Sequence, residues 1–69
     1  MAVTYDKLLL LLKNKNMSNV DLQKKAGLSA NIITRIKRNE YISLKSIESI
    51  CKVLDCAVDD ILEFTPEKI

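Results

Sequence analysis

The sequence predicts an all-α fold of five short helices, and three observations lead there. One Gly and one Pro in 69 residues leave little from which to build β-turns, so hairpins are disfavoured and no strand is expected. Apolar residues recur at helical spacing in five successive segments. A hydroxyl-bearing N-cap residue (Thr4, Ser18, Ser29 or Ser43) stands ahead of each of the first four.

The first helix is predicted over residues 4–15, with Thr4 as N-cap, Asp6 in the first turn and Tyr5, Leu8, Leu11 and Leu12 on one stripe. Leu9 and Leu10 widen the apolar surface beyond one face, which fits either partial burial or a contact surface for another chain. Asn14 and Asn16 mark a loop. Ser18 then caps a second helix to residue 25, with Asp21 at the capping-box position, Met17 as a staple, and Val20 and Leu22 as apolar contributions. The single glycine, Gly27, follows, where a φ above zero at the helix end costs Gly nothing. The third helix is predicted over residues 30–38. Ile32, Ile33 and Ile36 share one arc, and Ala30, Asn31, Thr34, Arg35 and Arg38 share the opposite one, which carries no acid. Asn39 closes this helix in the left-handed region. Ser43 caps a fourth helix over 44–54, with Leu44, Ile47, Ile50, Cys51 and Leu54 inward, and a fifth over 58–62 supplies Val58, Ile61 and Leu62. Pro66 ends regular structure.

A chain of this length, 48% apolar and 29% charged, is expected to form a single soluble domain over 1–69 with its core at about 4–64. Its longest apolar run, residues 8–12, is far short of the ~20 residues that span a bilayer, and no secretory leader is expected. The net charge of +2 conceals an asymmetry: residues 1–38 hold eight basic residues against two acids, and residues 39–69 hold three against seven. A basic face for a polyanion and an acidic end elsewhere follow. There is no histidine, no paired-carboxylate motif and no glycine-rich phosphate loop, so no catalytic role can be assigned and a non-enzyme is expected. Cys51 and Cys56 fit no zinc spacing and read as reduced structural thiols of a cytoplasmic protein; no metal and no cofactor are expected.

Two short helices joined by a glycine turn, the second with a basic, acid-free outer face, describe a helix-turn-helix at helices 2 and 3. The order Asn19, Leu22, Gly27, Leu28, Ser29, Ile33, Ile36 resembles the Cro/repressor-type (Xre-type) DNA-binding domains, the lambda-repressor-like fold. Ser43-Leu44-Lys45-Ser46-Ile47 looks like that family's fourth helix, and Val58-Asp59-Asp60-Ile61-Leu62 is similar to its fifth; the likeness covers about 4–64. The resemblance implies a transcription regulator, of the repressor type found in bacteria or phage, whose recognition helix over 30–38 enters the major groove. By position, Ala30, Asn31, Thr34 and Arg35 become base readers, and Ser18, Asn19, Ser29, Arg38 and Lys45 phosphate contacts. The chemistry of the readers agrees: Arg bonds guanine bidentately, Asn bonds adenine, and Ala or Thr methyls meet thymine's methyl. Three positions depart from the family's habit. Gln23 replaces a small residue between the two motif helices, Ile32 stands where a polar residue is common, and Asn19 is shorter than the usual glutamine.

The partner is therefore expected to be double-stranded DNA, bound by a homodimer with half-sites ~10 bp apart. Val58, Ile61, Leu62, Phe64 and Ile69 offer an apolar pairing surface. No membrane partner is expected, and no effector-binding domain fits in the chain. The alternative is a small helical interaction module that binds a partner protein through Leu9, Leu10 and the apolar C-terminal segment. Steep loss of affinity with salt separates DNA binding from such an apolar contact.

Overall fold

The computed structural model describes residues 2–66. In chain order these form β1 (Ala2–Thr4), α1 (Asp6–Asn14), α2 (Asn19–Ala26), α3 (Ala30–Lys37), α4 (Leu44–Leu54), a single 3-10 turn (Val58–Asp60) and β2 (Glu63–Thr65). The fold is mostly helical, but with four α-helices instead of five, and it contains a sheet that the sequence did not announce. β1 and β2 pair antiparallel, Ala2 opposite Thr65, Val3 opposite Phe64 and Thr4 opposite Glu63. Three-residue strands carry too little alternation to register as periodicity, and their partners lie at opposite ends of the chain. The predicted fifth helix winds only one 3-10 turn, held where the Ala57 N–H donates to Asp60 Oδ2 at 2.9 Å, before the chain extends into β2.

The sheet also moves the start of the first helix. Thr4 belongs to β1, and the N-cap of α1 is Tyr5, which makes no side-chain cap bond; Thr4 Oγ1 still accepts from the Asp6 N–H at 3.4 Å. The other three caps are as predicted. Ser18, Ser29 and Ser43 accept from the N–H groups of Asp21, Ile32 and Ser46 at 3.1, 3.3 and 3.2 Å. Asp21 completes the capping box by accepting the Ser18 N–H at 3.1 Å. These bonds hold the Asp21 carboxyl below its ordinary value of 3.8.

All four α-helices stop in the same way. A residue in the left-handed region (Asn16, Gly27, Asn39 or Asp55, with φ of 54°, 66°, 55° and 50°) is followed by one whose N–H reaches back five residues. The bonds run from Met17 to Leu12, Leu28 to Gln23, Glu40 to Arg35 and Cys56 to Cys51, at 2.9, 2.9, 2.9 and 3.1 Å. This Schellman geometry brings the two linked side chains together. It accounts for the cysteines: Cys51 and Cys56 are free, half-buried neighbours, and burial followed by the adjoining Cys51 pushes the Cys56 thiol up to about 11.

One core joins β1 and the four α-helices: Val3 and Tyr5, Leu8 and Leu12 of α1, Leu22 of α2, Ile33 and Ile36 of α3, Ile47, Ile50 and Leu54 of α4, with Ile61 added from beyond the 3-10 turn. Cys51, Leu11, Met17 and Ile32 pack at its margin. Three apolar placements differ from the helical-wheel expectation. Leu44 is 82% exposed because the first turn of α4 stands clear of the core. Val20 and Val58 are exposed, and of the C-terminal apolar group divided between core and pairing surface, Ile61 goes wholly to the core where the chain returns from the 3-10 turn. Ile69 lies outside the described residues. Leu9 and Leu10 are exposed.

Candidate nucleic-acid interface

The candidate surface is built on α2, the turn at Gly27 and α3. Gly27 is required there by its backbone angle and not by crowding, since a Cβ at this position would meet nothing within 4 Å. Its N–H and that of Leu28 both return to the Gln23 carbonyl. Gln23 itself is half-buried, and the turn that follows it keeps its left-handed geometry. Ile32, the other departure, is also half-buried and packs on the core edge.

α3 is divided sharply by burial. Ile33 and Ile36 are inside, whereas Ala30, Asn31, Thr34, Arg35, Lys37 and Arg38 are exposed. The four predicted base readers thus share one accessible face. Arg38, the C-cap of α3, stands at the end of that face. The Thr34 hydroxyl donates to the Ala30 carbonyl at 3.1 Å, so its O–H is committed to the helix, and the methyl group remains for apolar contact. No Asp or Glu occurs between Asp21 and Glu40, a stretch that carries Lys24, Lys25, Arg35, Lys37 and Arg38. The acidic end of the chain claims one basic residue for itself: Lys7 Nζ donates to the Asp59 carbonyl at 3.2 Å and lies 3.9 Å from Glu63 Oε2.

The predicted phosphate contacts are not equivalent. Ser29 and Lys45 line one open cleft of about 210 Å³ between the turn and α4, together with Ser46 and Ser49, which sequence reading passed over. Ser29 Oγ uses a lone pair for its cap and keeps its hydrogen to donate outward. The first turn of α3 holds no acid, so no carboxylate competes for its free N–H groups, the chemistry that suits an anion. At α2 the ionised Asp21 carboxylate bonds Ser18, which makes Ser18 the poorer anion site; Asn19 beside it is half-buried. Arg38 and Lys45 are exposed, as phosphate clamps must be.

A connection that no sequence signal marks fixes the far end of α3. The Tyr5 N–H donates to Asn39 Oδ1 at 3.1 Å, and the Tyr5 hydroxyl donates to the Glu40 carbonyl at 2.6 Å. Tyr5 is almost wholly buried, and burial followed by the charge of Tyr41 raises its pKa above 10.0. The partners are 34 and 35 residues apart, beyond the reach of any local pattern.

Comparison with known proteins supplies context for this surface. A family model described as Cro/C1-type HTH DNA-binding domain matches residues 7–67. A crystal structure of the transcriptional regulator VanUg is similar over 96% of this chain and 88% of its own, at 35% sequence identity and a TM-score of 0.92. No curated protein matches by sequence.

Proposed function

The chain belongs to the Cro/C1-type HTH DNA-binding domain family, and from that premise we propose that it is a sequence-specific transcription regulator reading duplex DNA with α3 in the major groove. The observation that carries this reading is the single exposed, acid-free face of Ala30, Asn31, Thr34 and Arg35, backed by a wholly apolar inner face. On this reading Arg35 and Asn31 bond base edges, Ala30 and the Thr34 methyl contact thymine, and Ser29, Arg38 and Lys45 hold phosphates. Asn19 and Ser18 support the phosphate on the α2 side, Ser18 more weakly because Asp21 lies against it.

The protein binds its site as a homodimer. An apolar groove of about 320 Å³ is lined by Val3, Tyr41, Leu44, Ile47, Val58 and Phe64, and its rim residues Tyr41 and Phe64 are 60% and 57% exposed. One of its lining residues, Tyr41, follows Arg38 by three positions in the chain. On this reading a second copy docks there about a two-fold axis, and the two recognition helices enter successive major grooves about 34 Å apart, the spacing that dimeric helix-turn-helix proteins use.

Selection from random duplex DNA tests the reading. An enriched palindrome with ~10 bp between half-site centres is expected, bound by two chains in sedimentation. Arg35→Ala is expected to lose about 1–3 kcal/mol on the selected duplex and to relax one position, whereas Arg38→Ala weakens all duplexes alike and lowers the salt slope by about one. No enriched sequence overturns the function; one chain per site overturns the dimer; equal behaviour of the two variants overturns the assignment of roles.

A further inference from the structure

We infer that Tyr5 and Asn39 form a latch that positions the recognition helix: Tyr5 clamps the exit of α3 so that Arg38 and the segment leading to Lys45 meet the DNA backbone in register with the base-reading face. The inference rests on the DNA-binding reading above and assigns it two residues that touch no DNA.

α3 needs such a clamp. It is eight residues long and puts only two wholly buried side chains, Ile33 and Ile36, into the core. A helix so short has little stability or orientation of its own, and both must come from its ends and its packing. Its beginning is held by the Gly27 turn and the Ser29 cap. Its end is held at Asn39 and Glu40, whose bonds run to Tyr5 and to α3 itself. The Glu40 N–H bonds the Arg35 carbonyl at 2.9 Å, and the Glu40 carbonyl accepts the Tyr5 hydroxyl at 2.6 Å. Asn39, with φ of 55°, spends its side-chain oxygen on the Tyr5 N–H. Both polar groups of the Glu40 backbone and the side chain of Asn39 are thereby committed to fixing one direction for the chain leaving α3.

Tyr5 can impose that direction because it is anchored in the core. It is 1% exposed, it stands at the junction of β1 and α1, and its ring packs among the core residues of both ends of the chain. Arg38 is one residue before the latch and Ser43 three residues after it, so rotation at Asn39–Glu40 would carry the phosphate clamps on α3 and α4 apart. Sequence-specific binding demands that both be satisfied while Arg35 is at its base. Non-specific binding, which follows overall charge, does not.

The latch therefore separates specific from non-specific affinity. Tyr5→Phe removes one hydroxyl from an otherwise unchanged ring. Asn39→Gly keeps the left-handed turn but deletes the acceptor of the Tyr5 N–H. Each variant is titrated with the duplex selected by the wild-type chain and with a scrambled duplex of equal length, over a range of salt, at a temperature where circular dichroism shows it fully folded. Each is expected to lose about tenfold on the selected duplex and less than twofold on the scrambled one, and to show a shallower salt slope on the selected duplex alone. A merely structural role would lower the melting temperature and leave both affinities of the folded protein unchanged, and that result overturns the latch. A wild-type chain that enriches no duplex overturns the DNA reading and the latch together, whereas enrichment with variants indistinguishable from wild type overturns the latch alone.

Discussion

α3 and α4 are built on the same inner plan and differ on the outside. Each is capped by a serine, each buries isoleucines (Ile33 and Ile36 in one, Ile47 and Ile50 in the other), and each ends at a non-glycine residue in the left-handed region, Asn39 or Asp55. Outward, α4 mixes Lys45, Glu48 and Lys52, whereas α3 presents an amide, a hydroxyl-bearing methyl and basic groups with no acid. A mixed face largely cancels its own field and solvates itself. A face of one sign attracts a polyanion at range and offers donors at contact. The inner faces therefore tell how the domain folds, and only the outer faces set α3, the helix proposed to read DNA, apart from α4.

The largest test of that comparison attacks the shared plan. Ile50→Ala and Ile36→Ala are each expected to cost about 2–5 kcal/mol in chemical denaturation, because both side chains are buried in the one core. Comparable losses support the equivalence of the inner faces. A loss below 1 kcal/mol at Ile36 would mean that α3 is carried by its ends alone.

The turns that precede and follow these helices give a smaller effect. Gly27→Val places a β-branched residue at φ of 66° and is expected to cost more than about 1 kcal/mol through backbone strain, there being open space for its side chain. Asp55→Gly, at the same kind of turn after α4, is expected to be neutral or mildly stabilising in the same thermal melts. An unchanged midpoint for Gly27→Val would contradict the turn geometry on which the motif depends.

The smallest effect distinguishes the two helix ends by pH. The Cys56 thiol beyond α4, raised from 9.0 to about 11, and the Tyr5 phenol that bonds the exit of α3, raised from 10.0, both hold their protons more tightly in the fold than in the unfolded chain. Their contributions are complete below those ordinary values and are lost as pH rises through the folded ones. Stability is expected to decline from about pH 9 upward. Cys56→Ala should flatten the lower part of that decline and Tyr5→Phe the upper part. A pH profile unchanged by either variant would remove the titration from both ends.

How much of this was legible in the sequence depended on range. Ser18, Ser29 and Ser43 act on N–H groups three residues away, and Gly27 and Asn39 act on their own backbone, so caps and turns could be read locally. The face of α3 followed from the 100° step alone. Thr4 was misread because a strand partner at the far end of the chain claimed it, and the wheel placed Leu44 inward without knowing where the core ended. Serine caps, by their residue type, could not show that Asp21 sets Ser18 apart from Ser29 as an anion site.

The sequence by itself determined four helices, the register of the helix-turn-helix and the composition of the exposed face of α3. Each depends on interactions within about one helical turn, where chemistry and spacing leave few alternatives. The tertiary structure alone decided the β1–β2 pairing, the short 3-10 turn in place of a fifth helix, the apolar groove and the bonds from Tyr5 to Asn39 and Glu40. These join residues far apart in the chain, and such contacts exist only after the shared core has brought the two ends together, which no local pattern encodes.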